Sequence, residues 1–466
     1  MLHRQSGAQS DFSKGGVEAN ILRLAGPMVV AQLINVLYNI VDRMYIGHLP
    51  EASGNALTGV GVTFPLITMI IAFANLYGAG GAPLFSMARG RQDEDGARQI
   101  MGNVFVLLTA TGLILTVLLL AAKRPLLYLF GASGTTYPYA NAYLTIYLCG
   151  SVFVMLGLGM NNFINAQGFA RTGMATVLIG AVLNILLDPL FIFVFGMGVR
   201  GAALATVLSQ LVSAVWAVGF LCSGRSLLRL ERRWLRLRLD TVKQVVALGF
   251  SSFIMSVTNS AVQSVCNATL QGYGGDLYVG VMTVINSVRE VVQTAVNGLT
   301  NAAQPVMSFN YGAREYRRVR RGIIFTTAVC IVYTVTVWAL LFFFPRAFIV
   351  IFNDDPALVA ACVPAMHIYF FGFFMMSLQM AGQSVAVALG RSKQAIFFSL
   401  LRKVFIVIPL TLVLPRLFGL GVDGVFLAEP ISNFVGGAAC YLTMLCTIWR
   451  QLARGERECE TRAVKK

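Results

Sequence analysis

Residues 323–344 read IIFTTAVCIVYTVTVWALLFFF, 22 residues without one charge. A helix rises about 1.5 Å per residue, so this stretch spans about 33 Å, against a bilayer hydrocarbon core of about 30 Å. Residues 104–122, VFVLLTATGLILTVLLLAA, carry the same message. Lipid offers no partner for backbone N–H and C=O groups, so such runs must be helices that satisfy themselves. A membrane β-barrel would instead show short segments of alternating polarity, and the sequence has no such pattern. The whole chain agrees: 57% of its 466 residues are hydrophobic and 12% charged. A soluble domain carries about 25% charged residues.

Working outward from these runs predicts twelve spans, at 21–47, 57–82, 100–122, 138–162, 174–195, 201–222, 243–270, 278–304, 322–345, 358–388, 395–415 and 421–449. The basic residues test the count. With the N-terminus inside, the inside segments hold 25 Lys and Arg and the outside segments 5. A missed or invented span would invert this asymmetry from that point on, so both termini are expected on the cytoplasmic side. The chain then divides into an N-terminal segment (1–20), a first six-helix bundle (21–222), a basic linker (223–242), a second six-helix bundle (243–449) and a tail (450–466). The linker carries RSLLRLERRWLRLRL at 225–239. It reads equally as an amphipathic stretch lying on the cytoplasmic leaflet or as a solvated connection with ordinary positive-inside charge.

The net charge of +16 would suggest nucleic acid on a soluble protein. Here the charge sits in the breaks between apolar runs and reports topology, so no nucleic-acid partner is expected. Residues 1–20 are polar and run into a full-length span, so no cleaved leader is expected. The eight cysteines show no CxxC or metal spacing and read as small apolar residues. His3, His48 and His367 lie far apart, with no HExxH and no Walker GxxxxGK[ST]. Neither an enzyme nor an ATP-driven pump is expected from this chain.

The two bundles look like copies. Gly198-Val-Arg-Gly-Ala-Ala-Leu-Ala205 resembles Gly421-Val-Asp-Gly-Val-Phe-Leu-Ala428, at a shift of 223. Arg171…Ala175…Pro189-Leu190 recurs as Arg391…Ala395…Pro409-Leu410, at 220, and Ser86…Gly90 recurs as Ser308…Gly312, at 222. Six is even, so the halves share one orientation. Transporters built on such repeats place their sites near the membrane middle.

An ionisable group inside a span is costly and marks function by default. Asp42, Asp188, Glu290 and Glu429 stand out, with Arg43, Arg289, Arg402 and Lys403. Asn35, Asn39 and Asp42 share a helix face at i, i+4, i+7, and Asn184 and Asp188 are i, i+4 neighbours. Thr206 falls at a similar depth in the sixth span. Two carboxylates, an amide and a hydroxyl suit Na⁺, a hard cation that prefers oxygen. They suit a proton equally, because neighbouring carboxylates resist double ionisation. Pro27 removes a backbone bond inside the first span and can bend it. Plainer readings exist: Asp188 precedes Pro189 and could be structural, Asp42 could snorkel beside Arg43, and Thr206 alone is an ordinary packing residue. In the second half Glu290, Gln293 and Asn297 lie on roughly one face of the eighth span. Glu429 occupies in the twelfth span the place of Thr206 in the sixth. Glu290 is expected to line a substrate cavity or to pair with Lys403 or Arg402.

With these residues in hand, the chain resembles the multidrug and toxic-compound extrusion (MATE) family. Pro27, Val41-Asp42-Arg43…Gly47, Asn184-Ile-Leu-Leu-Asp188-Pro189, Gly201-Ala-Ala-Leu-Ala-Thr206 and Gln304-Pro305…Asn310-Tyr311-Gly312 carry the resemblance over residues 15–450, nearest to the MepA-like branch. It implies an all-α membrane protein of two six-helix bundles set in a V, exporting amphipathic organic cations. Export would run by alternating access in antiport with H⁺ or Na⁺, without an organic cofactor, by a monomer in the inner membrane of a prokaryote. It maps the coupling site onto Asp42, Asn184, Asp188 and Thr206, the bending proline onto Pro27, and leaves Asn35, Asn39, Glu290, Gln293, Asn297 and Glu429 as cavity candidates. Some branches carry acids in the seventh and tenth spans. Here the seventh has Thr258 and the tenth has no Asp or Glu, so the first half is expected to dominate coupling. The rival reading is a flippase for lipid-linked saccharides of the same wider superfamily.

Overall fold

The computed structural model describes residues 11–47, 53–352 and 355–464. Among them every regular element is helical. The first half runs α1 (Val17–Gly47), α2 (Ser53–Gly90), α3 (Glu94–Leu129), α4 (Tyr137–Cys149), α5 (Ser151–Ala166), α6 (Ala170–Pro189) and α7 (Val199–Cys222). Then follow α8 (Leu239–Gly312), α9 (Tyr316–Phe343), α10 (Pro345–Val350), α11 (Pro356–Phe370), α12 (Phe373–Ala388), α13 (Ser392–Leu400), α14 (Ile408–Val413), α15 (Val422–Met444) and α16 (Arg450–Val464).

Among the described residues nine helices are long and apolar enough to cross a membrane. Eleven spans result when the bent pairs α4–α5 (55°) and α11–α12 (46°) each count as one. The twelfth lies inside α8. Its 74 residues contain one non-helical residue, Gly275, at φ 65°, ψ −162°. A straight helix would hold Asn259 and Arg289 about 45 Å apart, yet both line one cavity. The chain therefore turns back at Gly275. Solvent-side exposure fits a lipid environment: Leu113, Ile114, Val117 and Leu118 of α3 are all more than half exposed, where a soluble helix would carry charge.

The internal repeat is written into the backbone. Among the described residues two non-glycine residues have positive φ, Gln92 (61°) and Arg314 (63°), and they are 222 residues apart. Gly168 and Gly390 repeat at the same shift. Gly196 and Gly419, and Gly198 and Gly421, repeat at 223. Gly198 (φ 55°, ψ −131°) and Gly421 (φ 51°, ψ −125°) cap α7 and α15 in a conformation that a Cβ disfavours. The bends recur too, at Gly150 and Gly372. This geometry corrects the 220-residue match: Phe169 and Arg391 both precede a helix start, 222 apart, so Arg171 pairs with Lys393.

The chain forms two compact units, Gly26–Phe253 in one and Phe12–Ala25 with Ile254–Lys466 in the other. In the first, Gly78 and Gly159 bring α2 and α5 into backbone contact; a Cβ on Gly78 would lie 2.8 Å from the Gly159 Cα. In the second, Arg318 donates to the Phe12 carbonyl (3.0 Å) and the Gly15 carbonyl (2.9 Å), and Phe12 packs edge-on to Phe309. The start of α1 is thus fastened to the second unit, up to the residue pair before Pro27.

The linker holds only a three-residue 3₁₀ turn, Arg232–Trp234. Gln99 of α3 donates to the Trp234 (3.3 Å) and Arg236 (2.6 Å) carbonyls, while Gln167 donates to the Leu228 carbonyl and accepts from its N–H. These side-chain amides tie the linker backbone to the first unit, while Arg225, Arg229, Arg232, Arg233, Arg236 and Arg238 stay exposed along its length.

Candidate functional site

The first unit places three of the four expected coupling residues in direct contact. Asn184 and Asp188 sit one turn apart on α6, and the Asn184 amide donates to Asp188 Oδ1 (3.3 Å) and to Thr206 Oγ1 of α7 (3.4 Å). The Thr206 hydroxyl donates to the Ala202 carbonyl (3.0 Å), which leaves its lone pairs facing the site. All three are buried, Asp188 completely. Asn184 Oδ1 and Asp188 Oδ2 are buried with no donor among the described residues. Pro189 ends α6 and a π-helical turn, Leu190–Val194, follows. The widened turn lets a buried carboxylate sit at the helix end.

Asp42 of α1 supplies the fourth member. Its carboxylate is close enough to that of Asp188 for the two charges to act on one another. Two carboxylates repel, so the contact becomes attractive only with a shared proton or a cation between them. Tyr143 of α4, which sequence reasoning missed, lies beside Thr206 and stacks with Tyr147. Both rings are buried. A buried tyrosine needs a partner for its hydroxyl, but nothing in a mostly apolar span marks which tyrosine points inward. Asn35 is half-buried on the same helix as Asp42. The Asn39 side chain lies outside those described. Pro27 is half-buried in an α1 that runs unbroken from Val17 to Gly47.

The second unit holds a different chemistry. Arg289 (α8), Arg402 and Lys403 (in the π-helical turn Leu401–Val407) converge on one carboxylate, Glu429 of α15. Arg402 is hydrogen-bonded to Glu429, Lys403 Nζ lies 3.5 Å away and Arg289 4.0 Å. Arg402 also donates to Gln379 (2.9 Å), and Arg289 to the Tyr369 hydroxyl (3.1 Å). Adjacent residues on an ordinary helix point about 100° apart; the π turn lets Arg402 and Lys403 reach the same acid. Gly436 makes room, its Cα lying where a Cβ would stand 3.4 Å from the Arg402 stem.

Glu290 was expected to line a substrate cavity or to pair with Lys403 or Arg402, and among the described residues it forms no ion pair with either. Its side chain is exposed instead, because Arg289 takes the inward face and its chain neighbour is turned away. Gln293 and Glu429 line cavities beside the basic cluster; Asn297 is half-buried further along α8.

Comparison with known proteins fits this architecture. The profile of the MatE family matches residues 27–190 and again 251–413, one copy per half. The multidrug export protein MepA of Staphylococcus saprophyticus is 24% identical over 439 residues, covering 92% of this chain and 95% of its own. MepA of Staphylococcus aureus is 22% identical over 417 residues, covering 88% and 90%. A solved outward-facing multidrug resistance MATE transporter of the MOP superfamily superposes with a TM-score of 0.89 at 22% identity, over 97% of this chain and 99% of that one.

Proposed function

We propose, since this chain belongs to the MatE family, that it is a multi-pass secondary transporter that exports drug-like organic molecules in antiport with H⁺ or Na⁺. The observation that carries the coupling mechanism is the acid pair. Asp42 and Asp188 meet in a buried site whose other members, Asn184 and Thr206, are oxygen-bearing and neutral. Two neighbouring carboxylates hold one proton or one Na⁺ readily and a second negative charge poorly. The relatives named for multidrug export support the cargo class, and the acids of this unit support a cationic preference there.

The cycle follows from that site. In the outward state H⁺ or Na⁺ enters between Asp42 and Asp188. Neutralisation removes the repulsion that keeps the carboxylates apart, α1 rearranges about Pro27, and drug affinity falls. Drug leaves outward, and the ion leaves inward after the switch. Linkage requires that ion and drug weaken one another's binding by the same factor. The protein works as a monomer in the cytoplasmic membrane of a prokaryote, both termini inside.

Proteoliposomes carrying an imposed pH or Na⁺ gradient test this reading with ethidium as cargo. The expected result is dye movement driven by one gradient, lost in Asp42→Asn and in Asp188→Asn. Dye movement that is unchanged in both variants would contradict the site assignment. Absence of dye movement under either gradient, with scrambling of a lipid-linked saccharide in its place, would establish the flippase reading.

A further inference from the structure

The basic cluster of the second unit does not add up to a structural ion pair. Three basic side chains face one carboxylate, a formal excess of two positive charges in a span. Arg402, Lys403 and Glu429 have side chains only 5%, 8% and 7% exposed. Gln379 and Tyr369 satisfy hydrogen bonds but supply no charge. Among the described residues no second acid lies within ion-pair distance of the three. Arg402 Nε is buried with no acceptor among the described residues. An uncompensated buried charge is strongly unfavourable, and the sequence keeps this one where Leu or Met would serve packing better.

Space accompanies the charge. A cavity of about 50 Å³ is lined by Arg289, Arg402 and Lys403, with Asn259, Gln293 and Gln379. A water needs about 10–15 Å³ on this measure, so the cavity holds a few waters or the head of an oxyanion, not a whole drug. Guanidinium groups with an ammonium beside them match carboxylate and phosphate oxygens, and charge-assisted bonds of this kind are short and strong.

We propose that this cavity binds the oxyanion head of the exported molecule, a carboxylate in the first instance, so that the transporter favours anionic or zwitterionic amphiphiles over plain organic cations. Glu429 holds the three cations in place between cycles, and the incoming anion takes up the charge that Glu429 leaves over. The inference rests on the export reading above and gives it a second selective group, in the half of the molecule that the coupling site does not occupy.

The matched dyes rhodamine 110 and rhodamine 123 differ by a free carboxylate against its methyl ester. Binding of each to the full-length protein in phosphatidylcholine nanodiscs, read by fluorescence anisotropy, needs no gradient. The expected result is affinity for rhodamine 110 about tenfold or more above that for rhodamine 123. Lys403→Met and Arg289→Gln, which both keep the Arg402–Glu429 pair, are expected to abolish the preference while retaining ester binding. Arg289→Lys should keep most of it. Equal affinities in the wild type, or a preference unchanged in Lys403→Met and Arg289→Gln, would overturn the proposal and leave the export reading standing. Binding of neither dye would count against the export reading itself. Loss of the preference on replacing phosphatidylcholine with phosphatidylglycerol would assign the cavity to lipid headgroups and overturn the cargo assignment.

Discussion

Asn184 does more than line a site: its single amide nitrogen is shared between Asp188 and Thr206, which fixes the spacing of α6 and α7. Asn184→Leu leaves the Asp188 carboxylate without a donor in a buried setting, a loss of about 1–3 kcal/mol. The expected outcome is a lower melting temperature together with weakened ion coupling, measured by thermal shift and by proteoliposome transport on the same preparation. Glu429 separates the two halves more sharply. Glu429→Gln removes the counter-charge of the buried Arg402 and Lys403 and of half-buried Arg289, and breaking a buried pair costs about 3–5 kcal/mol. It is expected to reduce folded yield severely in size-exclusion chromatography, while Asp188→Asn, which removes charge rather than unmasking it, should not. The contact between Asn184 and Asp188 was legible in the sequence, because the two sit at i, i+4 where apolar residues are the rule, whereas Thr206 was joined to them only by its depth in the sixth span and by the family resemblance. The grouping of Arg289, Arg402 and Lys403 was not legible, since periodicity assigns neighbouring residues to different faces and gives no sign of a π turn.

Where the helices break is decided by glycine more than by proline. The bends after Cys149 and at Gly372, and the reversal at Gly275, carry no proline. Gly198 and Gly421 hold the starts of α7 and α15 in a backbone region that other residues enter only with strain. Gly198→Ala and Gly421→Ala are each expected to lower stability by about 1–2 kcal/mol. Gly219→Ala, in the regular part of α7 with nothing within 4 Å of a new Cβ, is expected to be neutral. Thermal denaturation of the three variants distinguishes them. Apolar runs predicted the helices themselves, since burying twenty residues in lipid leaves no other choice. The repeat was visible as three weak matches, one of them off by two residues, because helix faces tolerate exchange among Ala, Leu, Val and Phe; the strained backbone positions do not drift in this way, and they fix the shift at 222–223.

For the whole molecule, the proposed topology has both termini in the cytoplasm, as the excess of Lys and Arg in alternate connections leads one to expect. Cys459 of α16 is exposed and Ser133, between α3 and α4, is exposed as well. In a background with Cys149, Cys222 and Cys446 replaced by Ser, Ser133→Cys is expected to react with an impermeant maleimide on intact cells. Cys459 should react only after permeabilisation. The reverse pattern would invert the topology. Charge is distributed over the duplicated fold with opposite sign. Where the first half gathers Asp42 and Asp188, the second gathers Arg289, Arg402 and Lys403, and Glu429 replaces Thr206 at the equivalent place. Duplication supplied one scaffold, and the two copies were left free to specialise in different charges.

The central claim is that the Asp42–Asp188 pair makes ion and drug compete through linkage, and drug affinity as a function of ion concentration tests it most directly. Ethidium binding to the purified protein, titrated across pH at fixed Na⁺ and across Na⁺ at fixed pH, is expected to weaken as pH falls or as Na⁺ rises, whichever ion couples. That dependence should vanish in Asp188→Asn. An affinity indifferent to both ions, or a dependence that survives in Asp188→Asn, would contradict the account.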